Sequence, residues 1–104
     1  MNDHLNFQSG ETPEALLVWF FKRNGCFRKP NEERRLELGL KYKKGYEVRF
    51  VAHNESELIR IRELLELVGL KAGQPYRKSR QFVQPVYGKR AVDWFSNLVL
   101  SKET

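Results

Sequence analysis

The sequence predicts one α+β domain built in the order α-ββ-α-ββ-α, with an antiparallel sheet and helices packed on one of its faces. Apolar residues recur at helical spacing in three segments, and two segments of alternating apolar and polar residues lie between them. A chain of 104 residues suits a single domain with a modest core. We expect the domain to span residues 12–100, with tails at residues 1–11 and 101–104.

The first predicted helix is strongly apolar. Thr12 can cap its free amides, and Pro13 suits the first helical position because that position needs no amide donor. Residues 16–21 are all apolar, which predicts burial on most sides. Gly25 should end the helix after Asn24.

Two hairpins are predicted. The first pairs residues 36–42 with residues 46–52 around Lys43-Lys44-Gly45, with one buried face that includes Leu36 and Leu38. The second pairs residues 74–79 with residues 82–87 around Arg80-Gln81, and its register is left open. Pro85 has no amide to donate, which suggests an edge strand.

The two remaining helices follow the hairpins. Asn54 and Glu57 have the spacing of a capping box, and apolar residues from Leu58 to Val68 follow at helical spacing until Gly69. A last helix should run from Lys89 to about Leu100.

Composition excludes several classes of protein. No apolar run approaches the ~20 residues that span a bilayer, and the amino terminus does not resemble a signal peptide, so we expect a cytoplasmic protein without a membrane partner. Cys26 is the single cysteine and is interpreted as a core thiol. With only two histidines, no zinc site is expected. We expect no metal and no cofactor.

The charge is basic and unevenly distributed. Nineteen Lys and Arg face 13 Asp and Glu, a formal net charge of +6. Residues 71–92 contain six bases and no acid, whereas residues 22–49 contain ten bases and four acids. Such segregation favours a polyanionic partner, although basic residues can also simply keep a small domain soluble.

The segment LVWFFKRNGCF, residues 17–27, resembles the motif of the LAGLIDADG homing endonucleases. Leu17 takes the place of the first Leu, Phe20 and Phe21 that of the bulky apolar pair, and Gly25 that of the closing Gly. The order of elements from about residue 13 to residue 100 is also that of one LAGLIDADG unit. The resemblance implies a single LAGLIDADG-type unit that contacts DNA through the exposed face of its sheet.

The two acidic positions of the motif are changed. They are Lys22 and Asn24 here, and the resemblance assigns the family's metal-binding carboxylate to Asn24. An amide cannot neutralise a divalent cation, so the sequence predicts no endonuclease activity. Small residues near the start of the motif are replaced by Val18 and Trp19. We therefore expect Trp19 to be buried in its own protomer, in a monomer or in a homodimer unlike that of the family.

The predicted function is non-catalytic binding of nucleic acid, with double-stranded DNA expected in preference to RNA. Arg and Gln can pair with base edges, while Lys mainly contacts phosphate. The predicted contact residues are Arg28, Lys29, Lys41, Lys43, Lys44, Arg49, Arg77, Lys78, Arg80, Gln81 and Gln84. Two alternatives stay open: these are ordinary exposed strand positions, or the chain is a protein-interaction or regulatory module that retains the fold.

Overall fold

The computed structural model of the protein describes residues 11–39 and 45–102. Within these ranges the fold is α+β, as predicted, with four helices and four strands. The elements in chain order are α1 (Pro13–Asn24), β1 (Cys26–Arg28), α2 (Glu32–Leu38), β2 (Glu47–Ala52), α3 (Glu55–Leu67), β3 (Tyr76–Lys78), β4 (Gln81–Tyr87) and α4 (Lys89–Lys102). None of the helices in the described ranges is long and apolar enough to cross a membrane.

The four strands form one antiparallel sheet in the order β1-β2-β4-β3. Strand β2 alternates strictly, and its residues Val48, Phe50 and Ala52 are buried. Residues in register share a face of the sheet, so Val48 lies beside Phe27 of β1 and Val86 of β4. These residues define the core face.

Helices α1, α3 and α4 cover the core face, as the sequence predicted. Helix α1 contacts β2 and both other helices. Four phenylalanines pack where these elements meet: the Phe21 ring centroid lies 4.6 Å from that of Phe27 and 5.1 Å from that of Phe95, and Phe50 lies 5.2 Å from Phe95. Leu17, Ile61 and Leu65 complete the centre of the core and are fully buried.

The ends of α1 follow the prediction, but glycine is needed at position 25 for close packing and not for a left-handed backbone conformation. Thr12 Oγ1 accepts a hydrogen bond from the Ala15 amide at 3.1 Å. Gly25 has φ −79°, which any residue can adopt. A Cβ at this position would instead lie 2.6 Å from the carbonyl oxygen of Arg49 and 2.7 Å from the Phe21 ring. Glycine is therefore required because the chain leaves α1 in direct contact with β2.

Both predicted caps of α3 are confirmed. Asn54 Oδ1 accepts from the Glu57 amide at 2.9 Å, and Glu57 reaches back to accept from the His53 amide at 2.8 Å. At the other end Gly69 has φ +82°, the left-handed region. Its amide donates to the carbonyl oxygen of Glu66, and the next amide, that of Leu70, donates to Leu65. This Schellman arrangement satisfies the last carbonyl groups of the helix.

The predicted first hairpin is wrong. Leu36 and Leu38 lie in helix α2, which buries none of its residues, and Leu36 is 84% exposed. Asn31 Oδ1 accepts from the Arg34 amide at 3.1 Å and so caps this helix. Strand β2 pairs instead with the short strand β1. The element order therefore has one helix more than α-ββ-α-ββ-α, between the first two strands. Leu40 and Tyr42 lie outside the described residues.

The second hairpin is confirmed, but the edge position of Pro85 is wrong. Strands β3 and β4 pair from Tyr76 opposite Val83 to Lys78 opposite Gln81, and β4 lies between β2 and β3. The carbonyl oxygen of Pro85 accepts from the Gly73 amide at 2.8 Å. The amide and carbonyl of one residue point the same way in an antiparallel strand, so the missing donor faces Gly73 rather than β2. Strand β3 begins only at Tyr76 and does not extend to the position beside Pro85. No ladder hydrogen bond from Pro85 is therefore missing, which is why proline is tolerated in a central strand.

Two further expectations about side-chain burial are wrong. Trp19 is 57% exposed, because its neighbours Val18 and Phe20 occupy the two sides of α1 that enter the core. Cys26 is exposed as well, since its register with Arg49 places it on the face of the sheet opposite the core. The last helix begins at Lys89 as predicted and continues to Lys102.

Candidate nucleic-acid interface

The face of the sheet opposite the helices is the candidate interface, and we call it the open face. Strand register determines its membership, because residues that alternate with the buried positions point away from the core. The open face consists of Cys26, Arg28, Glu47, Arg49, Val51, Tyr76, Lys78, Gln81, Val83, Pro85 and Tyr87. It carries more basic than acidic side chains: Arg28, Arg49 and Lys78 against Glu47.

Arg49 is the central cation of the open face. Its Nε atom donates to Glu47 Oε2 at 2.7 Å, and this hydrogen bond raises the already high pKa of Arg49. The guanidinium carbon also lies 6.0 Å from the centroid of the Tyr76 ring. Arg49 is on β2 and Tyr76 is on β3, so the two side chains reach towards each other across β4. Pro85, which lies opposite Arg49 on β4, is fully buried.

Two exposed tyrosines on the open face were not anticipated from the sequence. Tyr76 is 39% exposed and Tyr87 is 60% exposed. A Cβ on Gly73 would lie 2.5 Å from the Tyr87 ring, so the ring is in contact with the glycine backbone on one side. The period-two spacing of Gln81, Val83 and Tyr87 could have indicated that they share a face. Only the register with β2 shows which face that is.

A shallow cavity of about 490 Å³ lies at one end of the open face. It is lined by Arg28, Gly45, Tyr46, Glu47, Arg49, Tyr87, Gly88 and Lys89. The Nζ atom of Lys89 is 5.7 Å from the Tyr46 ring centroid and 2.8 Å from Asp93 Oδ2. The cavity therefore combines basic groups with aromatic rings.

The predicted contact residues fall into four groups. Arg28, Arg49, Lys78 and Gln81 share the open face, as expected. Arg80 lies in the exposed turn between β3 and β4, and Lys29 is exposed directly after β1. Arg77 and Gln84 point to the other side of the sheet. Lys41, Lys43 and Lys44 lie outside the described residues.

Gln84 is on the core face and is fully buried, so its expected exposure is wrong. It lies opposite Phe50, a core residue of β2. Its amide donates to the carbonyl oxygens of Gly73 and Pro85 at 2.8 and 2.9 Å, and its Oε1 accepts from Arg62 at 2.7 Å. Because these bonds satisfy the buried amide, polar Gln84 is stable where an apolar residue would be expected.

Arg77 also lies on the helix side of the sheet. Its partner in register is Phe82, and its guanidinium carbon is 5.1 Å from the Phe82 ring centroid. The side chain is exposed at the sheet edge, but it does not belong to the same surface as Arg49. For Arg77, as for Gln84, the face of the sheet depends on the register of the second hairpin, which could not be predicted from the sequence.

The end of α1, where the resemblance assigns the family's chemistry, has a different organisation. Asn24 and Lys22 are exposed, whereas Arg23 forms a two-point ion pair with Glu57 at 2.6 and 3.1 Å. Arg23 Nη2 also donates to the carbonyl oxygen of Val51 at 3.1 Å. Among residues 11–39 and 45–102, no three His, Cys, Asp or Glu side chains are grouped as metal ligands.

Comparisons with models of protein families, with curated proteins and with solved structures found no match to this chain.

Proposed function

We propose that this chain is a nucleic-acid-binding domain without catalytic activity and that its open face is the binding surface. The observation that carries the proposal is the grouping of Arg28, Arg49 and Lys78 on the one sheet face that the packed helices leave uncovered. Basic side chains on such a face attract a polyanion and release its condensed counterions.

The distribution of acidic residues supports this choice of face. Glu55, Glu63 and Glu66 are exposed on α3, which packs on the opposite side of the sheet. The open face holds one acid, Glu47, whose charge is already compensated by Arg49. Lys29 and Arg80 add positive charge at the border of the face. A polyanion is thus attracted more strongly to the open face than to the exposed surface of α3, where four Glu outnumber Arg60 and Arg62.

The proposed evolutionary type is a degenerate LAGLIDADG unit. The motif residues Leu17 and Phe20 enter the core, and helices α1, α3 and α4 share one side of an antiparallel sheet. The additional helix α2 and the strand order do not fully reproduce that family's pattern. The proposed binding function rests on the open face and does not depend on this assignment.

The experiment that tests the function compares two exposed lysines. Lys78→Ala removes a charge from the open face, whereas Lys71→Ala removes one beside Glu63 and Glu66 of α3. We expect the first change to weaken binding of a labelled oligonucleotide, measured by fluorescence anisotropy, and the second to leave it nearly unchanged. Equal effects would show that general charge rather than this face attracts the ligand. No binding by the unchanged protein at ~50 mM salt would exclude the function.

The competing function, a protein-interaction module, has its own specific observation. Trp19 is 57% exposed and lines a surface cavity of about 360 Å³ together with Leu16, Phe20 and Arg60. Exposed aromatic residues beside a groove are typical of protein contacts. If this groove is the functional surface, Trp19→Ala abolishes binding of a protein partner, and changes on the open face do not.

A further inference from the structure

The geometry points to single-stranded DNA as the ligand of the open face, with unpaired bases stacked on Tyr87 and Tyr76. This inference rests on the proposed nucleic-acid binding and names the form of nucleic acid that the face accepts. Its basis is the presence of exposed aromatic rings among the basic side chains.

The strand arrangement and the exposed rings suit a single strand of nucleic acid. Strand β1 pairs with residues 47–49 of β2, whereas β3 pairs with residues 81–83 of β4, so three strands lie side by side at either end of the face. At a spacing of ~4.8 Å this surface is ~10 Å across. Its exposed aromatic rings can stack on the π-faces of bases, which are accessible in a single strand and covered by neighbouring base pairs in a duplex.

Tyr87 has the properties of a stacking platform. The Cδ2–Cε2 edge of its ring lies against Gly73, where an added Cβ would come within 2.5 Å of the ring, and 60% of the residue is exposed. A ring fixed along one edge by backbone and still largely exposed loses little conformational freedom when a base stacks on it. Arg28 and Arg49 line the same cavity of about 490 Å³, so a phosphate can bind beside the stacked base.

Tyr76 provides a second platform. Its register partner Val83 is four residues from Tyr87 along β4, which separates the two tyrosines by ~14 Å. Neighbouring nucleotides of a stacked strand are only ~3.4 Å apart, so the two rings contact different nucleotides. The guanidinium of Arg49 lies 6.0 Å from the Tyr76 ring and offers a further planar group for stacking.

The described lining of the cavity does not require the ribose of RNA. Proteins distinguish RNA through its 2′-hydroxyl, which can donate or accept a hydrogen bond. Among the described lining residues the one carboxylate is that of Glu47, which accepts from Arg49 and has a side chain only 12% exposed. Recognition here depends on stacking and phosphate contacts, for which deoxyribose suffices.

The test measures the anisotropy of a labelled thymidine oligonucleotide of about 12 nucleotides, as a single strand and as a duplex, at ~50 mM salt. We expect the single strand to bind about ten-fold more tightly or better. Tyr87→Leu should weaken single-strand binding by about five-fold or more. Tyr87→Phe retains the ring and should bind like the unchanged protein, and Trp19→Leu, an equally exposed aromatic residue on α1, is the matched control. Circular dichroism of each variant confirms folding.

The possible outcomes separate this inference from the proposed function. Duplex binding as tight as single-strand binding, or no effect of Tyr87→Leu in a folded variant, overturns the inference while nucleic-acid binding stands. A uridine oligoribonucleotide bound more tightly than the DNA strand overturns the choice of DNA. If neither form of nucleic acid binds, the proposed function itself is excluded.

Discussion

Arg23 and Glu57 are joined by a two-point ion pair that connects the end of α1 to the start of α3. Both side chains are mostly buried, with 21% and 27% of their surfaces exposed. The Arg23 Nε atom finds no hydrogen-bond acceptor among the described residues. Its guanidinium carbon lies 5.3 Å from the ring centroids of Trp19 and Phe20, where the cation is stabilised by the aromatic faces. The last turn of α1 therefore contributes to tertiary structure.

The first prediction concerns the strength of this pair. A double-mutant cycle with Arg23→Met and Glu57→Gln should give a coupling of about 1–3 kcal/mol in the free energy of unfolding, as for hydrogen bonds between charged groups. The exposed pair of Lys89 and Asp93 on α4 is the control and should couple far more weakly, because water screens both groups. Urea denaturation gives both values. Similar coupling in the two pairs would contradict a structural role for Arg23.

The second prediction is a pH dependence of stability. The hydrogen bond from Arg23, followed by that from the His53 amide, lowers the pKa of the Glu57 carboxyl in the folded protein. A carboxyl with a lowered folded pKa stabilises the fold fully above its unfolded value of ~4.3 and loses that contribution as the pH falls through the folded value. Thermal unfolding of the protein and of Glu57→Gln should thus differ most at pH 6. The difference should diminish below about pH 4; a constant difference would refute this assignment.

The third prediction concerns Gly25. The Cβ of Gly25→Ala would lie 2.6 Å from the carbonyl oxygen of Arg49, so α1 or β2 must shift. Overpacking of this kind costs about 1–3 kcal/mol of unfolding free energy. Gly45→Ala is the matched control, since no described heavy atom lies within 4 Å of its Cβ position. Equal stability of the two variants would show that the contact relaxes without cost.

The parts of the fold that were predicted correctly have local signals. The two ends of α3, at Asn54 and Gly69, are defined by hydrogen bonds between residues close in sequence. The spacing of apolar residues in α3 and α4 decides which side of each helix is buried. Leu36 and Leu38 gave a misleading signal, because their alternation with polar residues is typical of a strand, whereas the short helix α2 buries none of its residues and so shows no helical period. Asn31 followed by Glu32 is a helix-start pattern that could have corrected it.

The candidate site was predicted less completely because it depends on strand register. A shift of one residue exchanges the two faces of a strand, and the sequence left the register of β4 open. Gln84 and Arg77 were therefore assigned to the wrong face. The burial of Gln84 depends on Arg62 of α3, a contact between residues distant in sequence. Tyr76 and Tyr87 can be assigned to the candidate interface only from the strand register, which places both on the open face.

The fourth prediction is that the protein does not cleave DNA with Mg²⁺ or Mn²⁺. Asn24 offers a neutral oxygen where the LAGLIDADG resemblance implies a carboxylate, and Lys22 adds positive charge nearby. Asn24→Asp alone should not create activity, because a single exposed carboxylate binds Mg²⁺ poorly without further ligands. Plasmid nicking by the protein and by this variant tests the prediction. Metal-dependent nicking that persists through purification and is lost with Lys78→Ala would contradict it.

The last prediction is the salt dependence of binding. Each phosphate neutralised on a single strand contributes a slope of ~−0.7 to the plot of log affinity against log salt concentration. Arg28, Arg49 and Lys78 on the open face, with Lys29, Arg80 and Lys89 at its border, predict a slope between about −2 and −4. Lys78→Ala should reduce the slope by less than one, whereas Tyr87→Leu should weaken binding at every salt concentration without changing the slope, because stacking releases no counterions. A slope near zero for the unchanged protein would mean that these cations do not contact phosphate. A Tyr87→Leu variant with a reduced slope would mean that the ring positions a cation instead of stacking on a base.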